Sequence, residues 1–166
     1  MNQGIGGQDS GAPAAPLRVE GMEGLLALAG RDLGHSRWKA VTQSTVDAFA
    51  EVSGDNQWIH VDPERAAQGP FGSTIAHGYM TLSWGVPMIA ELLVVTGVRM
   101  ALNYGLDRVR FPAPVPVGSR VRLHARIDRV TQVARGGVEV ARAFTFEIEG
   151  ADKPACVAIS LTRYYT

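Results

Sequence analysis

The sequence HGYMTLSWGVPMIAELLV, residues 77–94, gives the clearest indication of the fold. Wound as an α-helix, it carries apolar side chains on nearly every side. A helix without a clear polar face is surrounded by protein on most sides. Pro87 has no N–H to donate to the Ser83 carbonyl, which predicts a kink or break at that point. The sequence therefore predicts a buried central helix that starts near His77.

The chain beyond this helix is strand-like. Between Arg120 and Asp128, apolar and polar residues alternate, which is typical of a half-buried antiparallel strand. Further strands are predicted over 106–111, 138–149 and 155–163, with a hairpin turn at Gly136-Gly137. An antiparallel sheet wrapped around the helix gives an α+β fold in one domain, and its exposed edges predict a dimer. An ordinary α+β sandwich is the alternative.

The segments that precede the central helix contain shorter elements. The spacing of apolar residues predicts a helix over 19–29 and a first strand over 37–41. Thr42 is placed to cap an amphipathic helix that ends near Gly54. A polar loop over 55–62 and a short helix over 63–68 follow.

Composition limits the classes of function. The 166 residues suit one domain, in which residues 1–18 are a disordered tail and residues 19–166 the folded unit. Sixteen basic and sixteen acidic side chains cancel, which argues against nucleic acid or an anionic membrane as partner. The single cysteine, Cys156, and the lack of a signal-peptide pattern indicate a cytoplasmic protein. Residues 75–100 are too interrupted by Gly, Pro and Glu for a membrane span.

The first candidate site is the turn-rich run SGDNQWIHVDP, residues 53–63. Asp55 and His60 stand five residues apart in it, and on a loop the two side chains can converge on one small molecule. Together they suit acid–base work on a water, because one can take a proton while the other makes a hydrogen bond. The alternative is structural: Asp55 forms an Asx-turn and His60 lies on the surface.

The second candidate site is AHG, residues 76–78, at the start of the central helix. A helix N-terminus offers unpaired N–H groups and the positive end of the dipole. Gly78 allows a carbonyl oxygen to approach this backbone, so the site could polarise a thioester and stabilise an enolate. Alternatively, Gly78 relieves crowding between helix and sheet, and His77 caps the turn.

Three motifs together resemble one protein family. The run FAEVSGDNQWIH, residues 49–60, resembles the hydratase motif of MaoC-like (R)-specific enoyl-CoA hydratases. Residues 76–78 resemble the motif that follows it, and FPAPVPVG, residues 111–118, resembles the signature of the sheet region. The resemblance covers 37–166 in consistent order. The run QWIHVDP, residues 57–63, is most similar to the subgroup related to nodulation protein N.

The resemblance implies a hotdog fold and a hydro-lyase of fatty acid metabolism. It gives Asp55 and His60 the task of holding and activating water, and it gives the Gly78 N–H the thioester carbonyl. Gln57, where many relatives have Asn, and His77 are implied in substrate binding. Water would add to C3 and a proton to C2 of an enoyl-CoA or enoyl-carrier thioester. The product would be a (3R)-hydroxyacyl thioester, formed by a homodimer without metal or other cofactor.

Two other functions stay open at this point. Hotdog domains also host thioesterases, whose members tend to place an acidic residue on the central helix. Here Glu91 is the only such residue, far from the helix start. A non-catalytic subunit that binds acyl thioesters has no chemical need for both Asp55 and His60. Whether Ser83 orients Asp55, as a serine does in many relatives, is left open.

Several other residues receive a structural interpretation. His124 is predicted to be a solvated residue on the polar face of its strand. Met80 and Trp84 are assigned to the core rather than to an acyl tunnel. Arg108 and Arg110 could reach the phosphates of coenzyme A or could be ordinary exposed strand residues. The order of His60, Asp62 and His77 fits no familiar zinc spacing.

Overall fold

A computed structural model describes residues 15–166 of the chain. Its main sheet is antiparallel, with strand order β2-β6-β7-β8-β5, and β3 pairs with β6 beside β2. A small parallel sheet joins β1 to β4. The strands are β1 Leu17–Glu20, β2 Asp32–His35, β3 Lys39–Ala40, β4 Leu93–Thr96, β5 Met100–Arg110, β6 Arg120–Val133, β7 Gly137–Ile148 and β8 Cys156–Tyr165.

Six short helices complete the described chain. They are α1 Gly21–Leu26, α2 Gln43–Ser53, α3 Trp58–Val61, α4 Pro63–Ala67, α5 Gly78–Ser83 and α6 Gly85–Ala90. Within residues 15–166, no helix has the length and apolar character needed to cross a lipid bilayer. The prediction of an α+β fold with an antiparallel sheet around a central helix is confirmed.

The central helix is built from α5 and α6, which break at Trp84. Pro87 lacks the N–H that would bond the Ser83 carbonyl, so the predicted kink is confirmed and falls one turn before the proline. Met80 and Met88 are 1% and 2% exposed, and they belong to the same core as Phe146 of the sheet. Gly85 allows the close contact, because a Cβ there would lie 3.0 Å from the Phe144 ring.

The strand predictions are confirmed where the alternation is clean. Val121, Leu123, Ala125 and Ile127 of β6 are all fully buried, and a turn at 134–136 leads into β7. On β8, the residues Val157, Ile159 and Leu161 share a half-buried face that points away from the core, while the alternate residues of the strand are buried. Of the first strand predicted over 37–41, only Lys39–Ala40 is a strand, β3, which pairs with β6. Strand β2, which precedes it along the same edge of β6, was not predicted.

Several predicted boundaries are wrong, among them the start of β5, which is Met100 rather than residue 106. The central helix ends at Ala90 rather than near Val94, because the β-branched run after Leu92 forms β4 instead. The partner of β4 is β1, so the helix predicted over 19–29 begins only at Gly21, and it ends at Leu26. The predicted tail over 1–18 lies outside the described residues up to residue 14, and its end, Leu17 and Arg18, is paired in β1.

The segment that follows α2 positions the candidate site. Thr42 caps α2 as predicted, since its hydroxyl oxygen accepts a hydrogen bond from the Thr45 N–H at 3.2 Å. Gly54 ends the helix in the left-handed region with a φ of 78°, a conformation that favours glycine. The predicted polar loop over 55–62 contains one short helix, α3, which turns His60 toward the interior.

Candidate active site

Asp55 is the first residue after the turn that ends α2, and it is exposed. Its backbone N–H donates to the Ser53 hydroxyl at 3.3 Å, and its backbone carbonyl accepts from His77. The Asp55 carboxylate forms no hydrogen bond to any described residue, so the Asx-turn alternative is not supported. This carboxylate is available to a ligand or a water.

His60 is buried, with 6% of its surface exposed, so the surface alternative is wrong. Its Nδ1 lies 2.7 Å from the Ile75 carbonyl oxygen. Because a carbonyl can only accept, Nδ1 carries the proton and Nε2 keeps a free lone pair. Burial is the main cause that lowers the pKa of His60 below its ordinary value of 6.5, with a smaller effect from His77; the Ile75 hydrogen bond and the Asp55 charge act in the opposite direction.

His77 lies behind these two residues and is 2% exposed. Its Nε2 donates to the Asp55 backbone carbonyl at 2.9 Å. Its ring stacks on that of His60 with a centroid distance of 3.7 Å and an interplanar angle of 25°. The sequence suggested that His77 binds substrate; the structure instead directs its side chain into the protein, where it contacts the Asp55 backbone and the His60 ring.

Side-chain atoms of Asp55, His60 and His77 lie within 4.8 Å of one another, close enough to raise the question of a metal. A metal bonds an imidazole nitrogen along its lone pair, in the plane of the ring. The His60 and His77 rings are stacked with nearly parallel planes, so an ion in the plane of one ring lies well outside the plane of the other. The cluster therefore suits a bound water better than a metal ion.

A cavity of about 310 Å³ adjoins this cluster. His60, Gly78, Thr81 and Phe111 are among the residues that line it. Gly78 is the first residue of α5, whose first turn has no side-chain cap, so its N–H is free for a ligand. The Phe111 ring covers Gly78 closely, since a Cβ on Gly78 would lie 3.0 Å from it. Because α5 has only six residues, the N–H itself matters more here than a helix dipole.

The other residues singled out in the sequence, within the part of the chain that the structure describes, form no hydrogen bond to the Asp55 carboxylate or the His60 ring. Gln57 is exposed and its side chain does not cap α3, so its role in substrate binding stays a prediction. Ser83 donates to the Met80 carbonyl at 2.7 Å within its own helix, rather than to Asp55. Met80 and Trp84 belong to the core, as predicted.

Sequence reasoning missed Gln43. Its side-chain amide donates to the backbone carbonyl of His60 at 2.8 Å, and its oxygen accepts from the hydroxyl of the buried Thr74. Gln43 thereby joins the start of α2 to α3 and to the chain before α5. No local pattern signals this role, because a glutamine in the first turn of a helix is ordinary and its partners lie 17 and 31 residues away.

Comparison with known proteins decides the family. Residues 26–145, most of the chain, match the family described as MaoC like domain. The chain belongs to the MaoC-like dehydratase family. This family comprises hotdog dehydratases and hydratases of fatty acid metabolism, so the family resemblance seen in the sequence is confirmed.

Individual members of the MaoC-like family are similar to this chain over most of their length. The chain is 52% identical over 145 residues to 3-hydroxyacyl-thioester dehydratase Z of Mycobacterium tuberculosis, covering 87% of this chain and 96% of that protein. It is 44% identical over 141 residues to Nodulation protein N of Rhizobium leguminosarum bv. viciae, covering 80% and 84%.

Two solved structures share the fold of this chain. A structure described as an (R)-hydratase from A. caviae involved in PHA biosynthesis has a TM-score of 0.64 at 21% identity, covering 81% of this chain and 94% of that one. A monoamine oxidase regulatory protein from Archaeoglobus has a TM-score of 0.75 at 22% identity, covering 92% and 99%. These similarities confirm the hotdog fold.

The geometry predicts the ionisation of His60. Its imidazole should stay mostly neutral at pH 6.5, protonated on Nδ1, because burial disfavours the charged form. Long-range proton–nitrogen NMR of the imidazole through a pH titration measures both the tautomer and the pKa. A pKa above 6.5, or a proton on Nε2 at neutral pH, would contradict the arrangement.

The lowered pKa of His60 makes the stability of the protein depend on pH. A histidine whose folded-state pKa is depressed contributes fully above its unfolded pKa, and the contribution is lost as pH falls through the folded pKa. The free energy of unfolding should therefore decrease on acidification below about 6.5 more steeply for the native protein than for His60→Gln. Denaturant titrations at several pH values provide the comparison.

Proposed function

We propose that the protein catalyses the reversible addition of water to trans-2-enoyl thioesters, giving (3R)-hydroxyacyl thioesters. The observation that carries the proposal is the convergence of the Asp55 carboxylate and the His60 ring beside a cavity that the Gly78 backbone also lines. The 3-hydroxyacyl-thioester dehydratase that is 52% identical supports it, because dehydration is the reverse direction of the same reaction.

Asp55 and His60 can hold one water between them. The carboxylate and the neutral His60 Nε2 are both acceptors, so a water can donate one hydrogen to each. This leaves a lone pair of the water oxygen directed toward a substrate in the cavity. As the C3–O bond forms, one of the two acceptors takes a proton from the water. The low pKa of His60 keeps its imidazole in the neutral, accepting form near neutral pH.

Gly78 completes the reaction at the other end of the enoyl group. As the oxygen adds to C3, the electrons of the double bond move toward the thioester oxygen. A backbone N–H donor at that oxygen stabilises the resulting enolate. The enolate then collapses and C2 accepts the proton that the water lost, so that water is consumed and nothing else is released. No redox change occurs, and these steps use only residues of the chain, the substrate and one water.

Glu91 disfavours the thioesterase alternative. It accepts hydrogen bonds from the backbone N–H of Arg37 at 2.9 Å and from its Nε at 3.2 Å. It also lies just after α6, at the end of the central helix opposite to Gly78. The one acidic residue predicted on the helix is therefore an ion-pair partner that ties the chain near β3 to the helix end.

We also propose that the protein acts as a homodimer. Tyr79, Val86 and Leu106 are 72%, 57% and 47% exposed, and all three line an apolar groove between α5–α6 and β5. Strand β5 ends the main sheet, so its outer edge has backbone groups free to pair with a second β5. One copy of the chain would cover both the groove and the edge of another in a symmetric contact.

The hydration proposal predicts the loss of the enoyl-thioester absorbance band when the protein is mixed with crotonyl-CoA or a longer trans-2-enoyl-CoA. Asp55→Asn and His60→Ala should each reduce the rate by about 10²-fold or more, the usual contribution of a general acid or base. Free thiol is measured in parallel. Release of thiol would indicate a thioesterase, and no reaction with either chain length would favour a binding subunit.

The protein contains a matched control for these variants. His124 and Asp32 form a second histidine–aspartate pair, 3.1 Å apart, on β6 and β2. Neither residue lines the cavity, and both are partly or fully exposed. Asp32→Asn and His124→Ala should therefore retain the native rate. Equal losses in both pairs of variants would show that the effect is a general one on folding.

The dimer proposal predicts that Leu106→Asp converts the protein to a monomer, because a carboxylate would be buried in the apolar contact. Val52→Asp is the control, since Val52 is 88% exposed on α2, away from the groove. Sedimentation velocity measures the mass of each. A native protein that sediments as a monomer would contradict the proposal.

A further inference from the structure

His77 contacts both members of the catalytic pair in different ways. Its Nε2–H binds the backbone carbonyl of Asp55 at 2.9 Å, and one face of its ring stacks on His60 at 3.7 Å. Phe49 lies near the ring, with centroids 5.0 Å apart at 51°. The His77 backbone also precedes Gly78, so one residue is joined to every group assigned to the reaction.

The hydrogen bond determines which nitrogen of His77 is protonated. The Asp55 carbonyl accepts, so Nε2 carries the proton and Nδ1 does not. Nδ1 is buried and has no hydrogen-bond partner among the described residues. A buried polar atom without a partner destabilises a protein. The cost of this unpaired atom indicates that the imidazole is present for its N–H donor and its ring contact rather than for packing alone.

Stacking on His77 affects the pKa of His60 through the charge of the two rings. Two imidazoles in face-to-face contact repel each other if both are protonated, and His77 accordingly lowers the pKa of His60. The charged and titratable groups that act on His60 are His77 and Asp55, and Asp55 acts in the opposite direction. His77 therefore helps to keep the His60 Nε2 unprotonated and able to accept a hydrogen bond.

We propose that His77 is a positioning residue, whose ring spans the backbone of Asp55 and the face of His60 and holds the two at the separation that one water bridges. It acts through these residues and does not touch the substrate. This inference rests on the proposed hydratase function, because it assumes that Asp55 and His60 act together on one water.

Two substitutions separate the two contacts of His77. His77→Phe keeps an aromatic ring against His60 but loses the N–H that binds the Asp55 carbonyl. His77→Gln keeps an N–H donor at a similar reach but loses the ring. His35→Phe is the matched control: the His35 ring lies against the His124 ring with centroids 4.6 Å apart and a 32° tilt, away from the cavity.

The hydration rate of the dimeric protein and the His60 NMR titration are measured on each variant, with the melting temperature as a check on folding. His77→Phe should lower kcat by about 10²-fold with little change in KM, as expected when reacting groups are displaced by about an ångström. His77→Gln should recover part of that loss. In both variants the pKa of His60 should rise toward its ordinary value, and His35→Phe should change neither kcat nor this pKa.

The inference is overturned if both His77 variants keep kcat within about twofold, too small a change for misplaced reacting groups, or if kcat falls only with the folded fraction while the pKa of His60 is unchanged. The NMR titration requires no activity. If the native protein fails to hydrate enoyl thioesters, the proposed function is wrong. If the His77 variants fold and their His60 pKa equals that of the native protein, the proposed effect of His77 on His60 is wrong, whatever the activity.

Discussion

Packing of the broken helix α5–α6 into the curve of the antiparallel sheet is the contact on which the rest of the structure depends. Met80, Met88 and Phe146 are almost completely buried there. Burying such side chains is worth about 1.5–3 kcal/mol each, which makes this contact a major part of the stability of a small domain. Because the helix lies in the sheet, its first residues, His77 and Gly78, come next to the segment that follows α2, where His77 contacts the Asp55 backbone and the His60 ring.

The residues of the site lie at the edge of this core, on the chain segments that flank the central helix. His60 is held by a hydrogen bond to the Ile75 carbonyl, and Ile75 in turn pairs with Pro116 in an isolated bridge. Ala76 donates to the Val115 carbonyl at 2.8 Å. The three motifs noted in the sequence, around Asp55, His77 and Pro116, are thus three of the chain segments that meet at the cavity. Their backbone hydrogen bonds join these segments to one another at the cavity.

The sequence predicted the fold where the signal was local and periodic. The alternation in β6, the Thr42 cap and the missing N–H of Pro87 each follow from short-range chemistry, and the structure confirms them. The helix predicted up to Val94 failed because Val94 and Val95 suit a strand as well as a helix, and only the distant β1 decides between them.

The candidate site was predictable in its residue types but not in their arrangement. The spacing of Asp55 and His60 and the position of Gly78 indicated acid–base chemistry beside a free N–H. The tautomer of His60, the inward direction of His77 and the contact of Gln43 with the His60 backbone arise from residues 15–22 positions apart. No periodic pattern encodes such contacts, because they depend on how the loops pack after the core has formed.

The most direct test of the account is a crystal structure of Asp55→Asn with a trans-2-enoyl-CoA bound. The amide replaces the carboxylate with little change in shape, so the substrate should bind without turning over. We expect the thioester oxygen to accept a hydrogen bond from the Gly78 N–H, at about 2.7–3.2 Å, with C3 facing the His60 Nε2. A thioester bound in the groove between α6 and β5 instead, away from His60 and Gly78, would contradict the central claim.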